Sequence, residues 1–381
     1  MIIRPKDAAK LIGVLIMCAC AVLPCALFMN SNIDMARIRD QVTTPEAISL
    51  YDATIATGNV TMAVAGGALA LTTIVMLLFY IKHYIDTHKS DLGILKALGY
   101  SNWSIARGFW VFGLSVFAGA AIGYGIAWAM MPAFYREMRS GGILPDTPLH
   151  FNPEVAIYLI VLPTLAFALL SVLYSYRKLR RPALELIRGK AKPRKAKQKD
   201  RRVSELPFLR DLKQSTVRSR PSLTFFIGFA AFCYADMVQM SFAMPEMASD
   251  MMAIMMLMIG LALAFTTLFI AITTVIKGNS KTLAMLRVFG YSDRECGNAI
   301  LNGYRPAACI GFIIGTAYQY GLMQMMFALV FNDTLDIPGY GFDIPALIIA
   351  LVSFAMLYEA IMFLYTKRIK RIPLKEVMLE E

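Results

Sequence analysis

The chain has 381 residues, of which 57% are hydrophobic and 17% charged, and its mean hydropathy is +0.56. A soluble domain runs nearer half apolar and a quarter charged, so a water-soluble enzyme with one packed core is excluded, and so is a disordered chain. The net charge of +12 points either to nucleic acid or to the loops of a membrane protein, and the placement of the basic residues decides between them.

Eight apolar segments of membrane-helix length follow one another. The first, Leu11–Phe28, follows Arg4, Lys6 and Lys10. No clear small-residue cleavage site succeeds it, so it reads as a retained anchor rather than a signal peptide. Thr61–Ile81 is the second. Phe109–Met131 is the third and carries Gly119-x-x-x-Gly123, a spacing for close helix contact. Val155–Tyr174 is the fourth.

A basic run from Arg188 to Arg202 comes next, either a solvated linker or a contact for anionic lipid. Leu206 to Lys213 reads as a short amphipathic helix lying on the membrane. The remaining spans are Leu223–Met240, Met251–Ile276, Ala307–Val330, with Gly311-x-x-x-Gly315, and Ile344–Tyr365. The two glycine-bearing spans are expected near the seam between the halves of the chain. The outer segments Asn30–Val60 and Ser241–Asp250 are expected as short extracellular loops.

Alternate loops hold 34 of the 38 Lys and Arg residues, and the others hold four. The rich side is the cytoplasmic side, which places both termini there. The count leaves no basic surplus to explain by nucleic acid. The six cysteines include no plausible disulfide framework, five of them lying in apolar runs and Cys296 in a polar loop.

The second half repeats the first at an offset of 191 residues. Gly99-Tyr100-Ser101 recurs as Gly290-Tyr291-Ser292, Phe151-Asn152 as Phe342-Asp343, Leu173-Tyr174-Ser175 as Leu364-Tyr365-Thr366, and Pro182 as Pro373. A one-residue slip superposes the two glycine pairs. The expected fold is an all-α polytopic membrane protein with eight transmembrane helices in two pseudo-symmetric four-helix repeats. The first repeat covers residues 1–190, a basic linker 191–221, and the second repeat 222–381.

The loop Ser90 to Ser101 places Leu92, Leu95 and Leu98 at helical spacing, with Gly99 as a helix stop and Ser101 as the next cap. In the copy, Leu283, Leu286 and Phe289 lead to Gly290, and Ser292 with Glu295 forms a capping box. Each loop is a short amphipathic helix followed by a sharp turn. It either merely turns the chain or docks into a partner.

The run Asp91-Leu-Gly-Ile-Leu-Lys-Ala-Leu-Gly-Tyr-Ser101 resembles the signature of the FtsX-like (MacB-type) permeases of ABC transporters. In the second copy Thr282 stands where that signature has an acid. The resemblance implies a bacterial cytoplasmic-membrane permease that works with two separate ABC ATPase subunits, which hold the ATP and Mg. It makes Asp91, Leu92, Leu95, Lys96, Leu98, Gly99, Leu283, Leu286, Arg287, Phe289 and Gly290 the ATPase-contacting residues of two coupling helices. The chain itself contains no Walker A spacing, the nearest stretch, Gly278 to Thr282, lacking the glycine before its lysine. No cofactor or metal is expected in this chain.

Three charges fall in or beside spans. Asp236 is expected at a solvated rim. Glu359 and Arg305 come to similar depths and are expected to pair, with a role in proton coupling or cargo contact as the alternative. Met240, Met244, Met247, Met251 and Met255 belong to a stripe that reads as packing, as an adaptable cargo surface, or as soft metal ligands. With little outer protein to hold a soluble solute, the expected cargo is amphipathic: a lipid, a lipopeptide or an antimicrobial peptide. The competing readings are an ion-coupled secondary transporter using Glu359 and a regulatory membrane protein without cargo.

Overall fold

The computed structural model describes residues 5–139, 145, 147–180, 182, 213, 217–218, 221–247, 250–278, 280–326 and 341–369. The basic run, the amphipathic stretch before Lys213, and the matched positions beyond residue 369 lie outside them. The described residues are helical, with no strand among them. They divide into two compact units, one drawn from Met1–Lys199, the other from Asp200–Phe327 and Pro338–Glu381.

In the first unit, α1 (Pro5–Arg37), α2 (Pro45–Thr61), α3 (Gly67–Thr87), α4 (Lys89–Ala97), α5 (Asn102–Arg107), α6 (Val111–Arg139), α7 (Pro153–Ala156) and α8 (Leu162–Leu179) follow in order. A π-turn joins α2 to α3, and another joins α7 to α8. The second unit contains α9 (Pro221–Met247), α10 (Asp250–Gly278), α11 (Ser280–Val288), α12 (Asp293–Leu301), α13 (Arg305–Met326) and α14 (Ile344–Ile369).

Among the described residues, six stretches are long and apolar enough to cross a membrane: Leu11–Arg37, Asn102–Arg139, Pro153–Leu179, Leu223–Ala243, Asp250–Phe269 and Ile344–Leu364. The second predicted span falls largely on α3 and the seventh on α13. Tyr318, Gln319, Tyr320 and Gln324 make the C-terminal part of α13 more polar than its neighbours.

Large apolar side chains point outward along these helices, among them Leu165 and Leu169 on α8, Ile310 and Ile313 on α13, and Val352 and Met356 on α14. A surface of that kind is a liability in water and is satisfied by lipid. The fold is that of an all-α membrane protein.

Each unit is built around a close helix pair. In the first, α6 lies on α1. A Cβ on Gly119 or Gly123 would run into the backbone oxygens of Leu15 and Ala19. In the second, α13 lies on α9, and a Cβ on Gly311 or Gly315 would run into those of Gly228 and Phe232. Small residues let the backbones approach, which is how membrane helices gain contact where no hydrophobic drive exists. Inside each unit these glycine faces seat one helix on the other.

The outer segment of the first half is ordered helix rather than loop. Thr44 caps α2 by accepting from the Ala47 N–H at 3.3 Å, with Pro45 at the first position. Met35, Ile38, Val42, Ala47 and Tyr51 form a small core there, with Ile48, Ile55 and Met138 against it.

Candidate functional site

The two loops singled out in the sequence fold alike. After α4 the Gly99 N–H donates to the Lys96 carbonyl (3.1 Å) and the Tyr100 N–H to the Leu95 carbonyl (3.2 Å). After α11 the Gly290 N–H donates to Arg287 and the Tyr291 N–H to Leu286, both at 3.1 Å. This pair of bonds is the Schellman stop, and it requires a left-handed residue. Gly99 has φ +92° and Gly290 +87°, which only glycine adopts without cost.

Both turns then start a helix. Ser101 accepts from the Ser104 N–H at 3.1 Å. Ser292 accepts from the Glu295 N–H at 3.3 Å, while the Glu295 carboxylate accepts from the Ser292 N–H (2.9 Å) and hydroxyl (2.7 Å). Those bonds hold the Glu295 carboxyl below its ordinary pKa.

Burial separates the candidate residues into two groups. Leu92, Leu283 and Leu286 are 2% exposed or less and face the protein's own interior. Leu95, Lys96 and Arg287 are half-buried. The Lys96 ammonium donates to the Leu179 carbonyl at 2.9 Å, tying α4 to the last turn of α8. Desolvation there lowers its pKa.

Leu98 and Phe289 are each 71% exposed, and Asp91 is exposed as well. The sequence reading missed Ile94, Tyr100, Met285 and Val288, which are also exposed. Ile94 matches Met285, and Leu98 matches Phe289, at the same offset of 191. Each loop therefore presents an apolar knuckle at equivalent positions.

Among the charges near the spans, Arg305 on α13 donates to Glu359 on α14. Asp236 is not at a solvated rim. It is 5% exposed, and its Oδ1 has no hydrogen-bond partner. The close seating of α9 on α13 removes it from water. Nearby polar side chains pair with one another: Gln239 Nε2 donates to Thr316 Oγ1 at 2.7 Å, and the Tyr234 hydroxyl to Ser353 Oγ at 2.8 Å. Met240 and Met255 are buried and Met251 half-buried, while the side chains of Met244 and Met247 lie outside the described residues.

A second polar cluster escaped the sequence reading. The Asp34 carboxylate has no exposed surface. It accepts from the Tyr135 hydroxyl (2.7 Å), Arg37 Nη1, Asn152 Nδ2 and the His150 backbone N–H (each 3.1 Å), and Asn30 Nδ2 (3.2 Å). His150 Nδ1 stands 3.6 Å from it. The only local sign was Asn30, Asp34 and Arg37 at helical spacing, since the other partners lie about a hundred residues away. The cluster clasps α1, α6 and the segment leading into α7.

Residues 63–183 and again residues 223–374 match the FtsX-like permease C-terminal family. Together the two stretches cover well over half of the chain. The chain belongs to the FtsX-like permease family. The first match takes in α3 to α8, and the second takes in α9 to α14. The family is one of membrane transport components, so this permease is not itself assigned a catalytic role. No curated protein and no solved structure matches the chain.

Proposed function

We propose that this permease is the membrane subunit of an ABC transporter and that two separate ATPase subunits dock on its two Schellman turns. The observation that carries this reading is a pair of exposed apolar knuckles, matched at Ile94 with Met285 and at Leu98 with Phe289, with Tyr100 added on one loop and Val288 on the other. Two equal protrusions suit two equal grooves. ATP and Mg belong to those partners, and this chain supplies no residue to the hydrolysis.

The Lys96 bond to the end of α8 gives a displacement of the first turn a direct route into a span. In the second unit α12 packs on α14, which offers a similar route. The basic loops and both termini face the cytoplasm of a bacterial cell on this reading. The cargo is amphipathic, because it must meet the protein within the bilayer or at its edge. Met240, Met251 and Met255 serve such a cargo only when α9 and α10 part, since two of them are now packed.

The test is recovery of the ATPase with the purified permease. Leu98→Asp combined with Phe289→Asp adds charge to two exposed positions, so folding stability should change by no more than about 0.5 kcal/mol. ATPase recovery should fall to background. Leu286→Asp differs, because its charge is buried and the permease itself should be lost. Unchanged ATPase recovery with the exposed double variant refutes docking at the knuckles.

A further inference from the structure

We propose that the Arg305–Glu359 pair seats the headgroup of a membrane lipid carrying phosphoethanolamine. The argument begins with the repeat. In the first unit Gly113 of α6 lies against Ala168 of α8, where a Cβ on the glycine would stand 2.5 Å from the alanine Cβ. The offset that superposes the two glycine pairs puts Arg305 at the place of Gly113, and the offset of 191 puts Glu359 at that of Ala168. The second half thus sets two long charged side chains at a crossing that the first half closes with two small residues.

The pair remains open. The Arg305 and Glu359 side chains are 48% and 57% exposed. Away from the pair, Cys309 and Ile313 continue the exposed face of α13, and Ala355 and Val352 that of α14. Phe312 against Phe354, with ring centroids 5.8 Å apart, joins the two helices alongside. The charges therefore stand at one end of an apolar strip on a lipid-facing surface, which is the outline of a headgroup with its acyl chain.

Among the described residues, the hydrogen bond between the two runs from Arg305 Nη2 to Glu359 Oε1. The guanidinium has further N–H donors, and the carboxylate has a second oxygen. At membrane depth such groups are costly unless polar partners meet them. A lipid phosphate accepts from the guanidinium, and a primary ammonium donates to the carboxylate. Phosphoethanolamine carries both. Phosphocholine has no N–H to donate, and phosphoglycerol has no cation.

The experiment is native mass spectrometry of the purified full chain, offered phosphatidylethanolamine, phosphatidylcholine and phosphatidylglycerol with identical acyl chains. One charge-assisted hydrogen bond corresponds to about tenfold preference for the ethanolamine lipid. In the Arg305→Gln, Glu359→Gln double variant, which leaves no unpaired charge, the preference should collapse to within about twofold. Equal retention of the three lipids by the unaltered chain overturns the proposal without any variant. A preference that survives in the double variant overturns it as well. Because neither measurement involves an ATPase, failure here is distinct from failure of docking at the knuckles.

Discussion

Gly99 and Gly290 close the same turn, and Gly119 and Gly311 seat equivalent helix pairs, but beyond these points the halves part. The first half carries α2, a small apolar core and the Asp34 clasp at the end away from the turn. The second half carries the long helices α9 and α10, whose described ends, Met247 and Asp250, are close in sequence. Met237 there fills the space over Gly260. The contrast teaches which constraints are shared. The turn end keeps one shape twice, whereas the described residues at the other end differ between the halves. On the proposed function, a symmetric motor drives an asymmetric mouth.

Among the described residues, the clasp occurs in the first half alone. Asp34→Ala strips the acceptor from Tyr135, Asn30, Asn152, Arg37 and the His150 amide. Each hydrogen bond to a charged group is worth about 1.5–3 kcal/mol, and several are lost together. We expect a loss of about 3 kcal/mol or more in unfolding measurements on the purified permease. A loss under about 1 kcal/mol would mean that the donors find other partners and that the clasp holds nothing.

The glycine seats test what both halves share. Gly119→Ala and Gly311→Ala should each cost about 1–3 kcal/mol, because the new methyl must push backbone away rather than a side chain. A methyl added to Gly125, also on α6, would meet nothing within 4 Å. Gly125→Ala should therefore be neutral or stabilising by up to about 1 kcal/mol. If all three behave alike, helix propensity rather than close approach governs these positions.

Much of this was legible in the sequence, and the rest failed for identifiable reasons. The all-α membrane class, both glycine stops, the Ser292–Glu295 box and the pairing of Arg305 with Glu359 follow from local spacing or from the repeat. The inward turn of Leu286 does not, because a nine-residue helix with apolar residues on two faces leaves open which face is covered. The clasp was hidden by sequence distance. The helix α2 was not hidden: Thr44, Pro45 and Glu46 mark a helix start, but the stretch was too polar to read as a span and passed for loop. Asp236 was misplaced because depth along a span says nothing about which neighbour faces it.

The two stops sharpen the comparison further. Neither Gly99 nor Gly290 has any atom within 4 Å of a Cβ position. Alanine there should cost only the left-handed backbone penalty, about 1–2 kcal/mol. The two variants should lose the same amount. A clear inequality in unfolding would show that one turn relaxes into another conformation, and the claim of equal geometry would fall.

The smallest effect lies just beyond those turns, where the caps differ by one carboxylate. Ser292 is braced by Glu295, whereas Ser101 is followed at the corresponding position by Ser104. The Glu295 carboxyl has a lowered pKa because its ionised form accepts from the Ser292 hydroxyl and amide. A group depressed in this way adds stability above its unfolded pKa and loses it as pH falls through the folded value. The start of α12 should therefore loosen below the ordinary glutamate range, while the start of α5 should not respond. Amide hydrogen exchange at Ser292 and Glu295, corrected for the intrinsic effect of pH, reads the first. The Ser104 amide reads the second. Glu295→Gln should abolish the pH response and keep part of the cap, since an amide oxygen still accepts. Equal pH response at both caps would show that the carboxylate adds nothing to the hydroxyl and that the two turns are alike beyond their glycines.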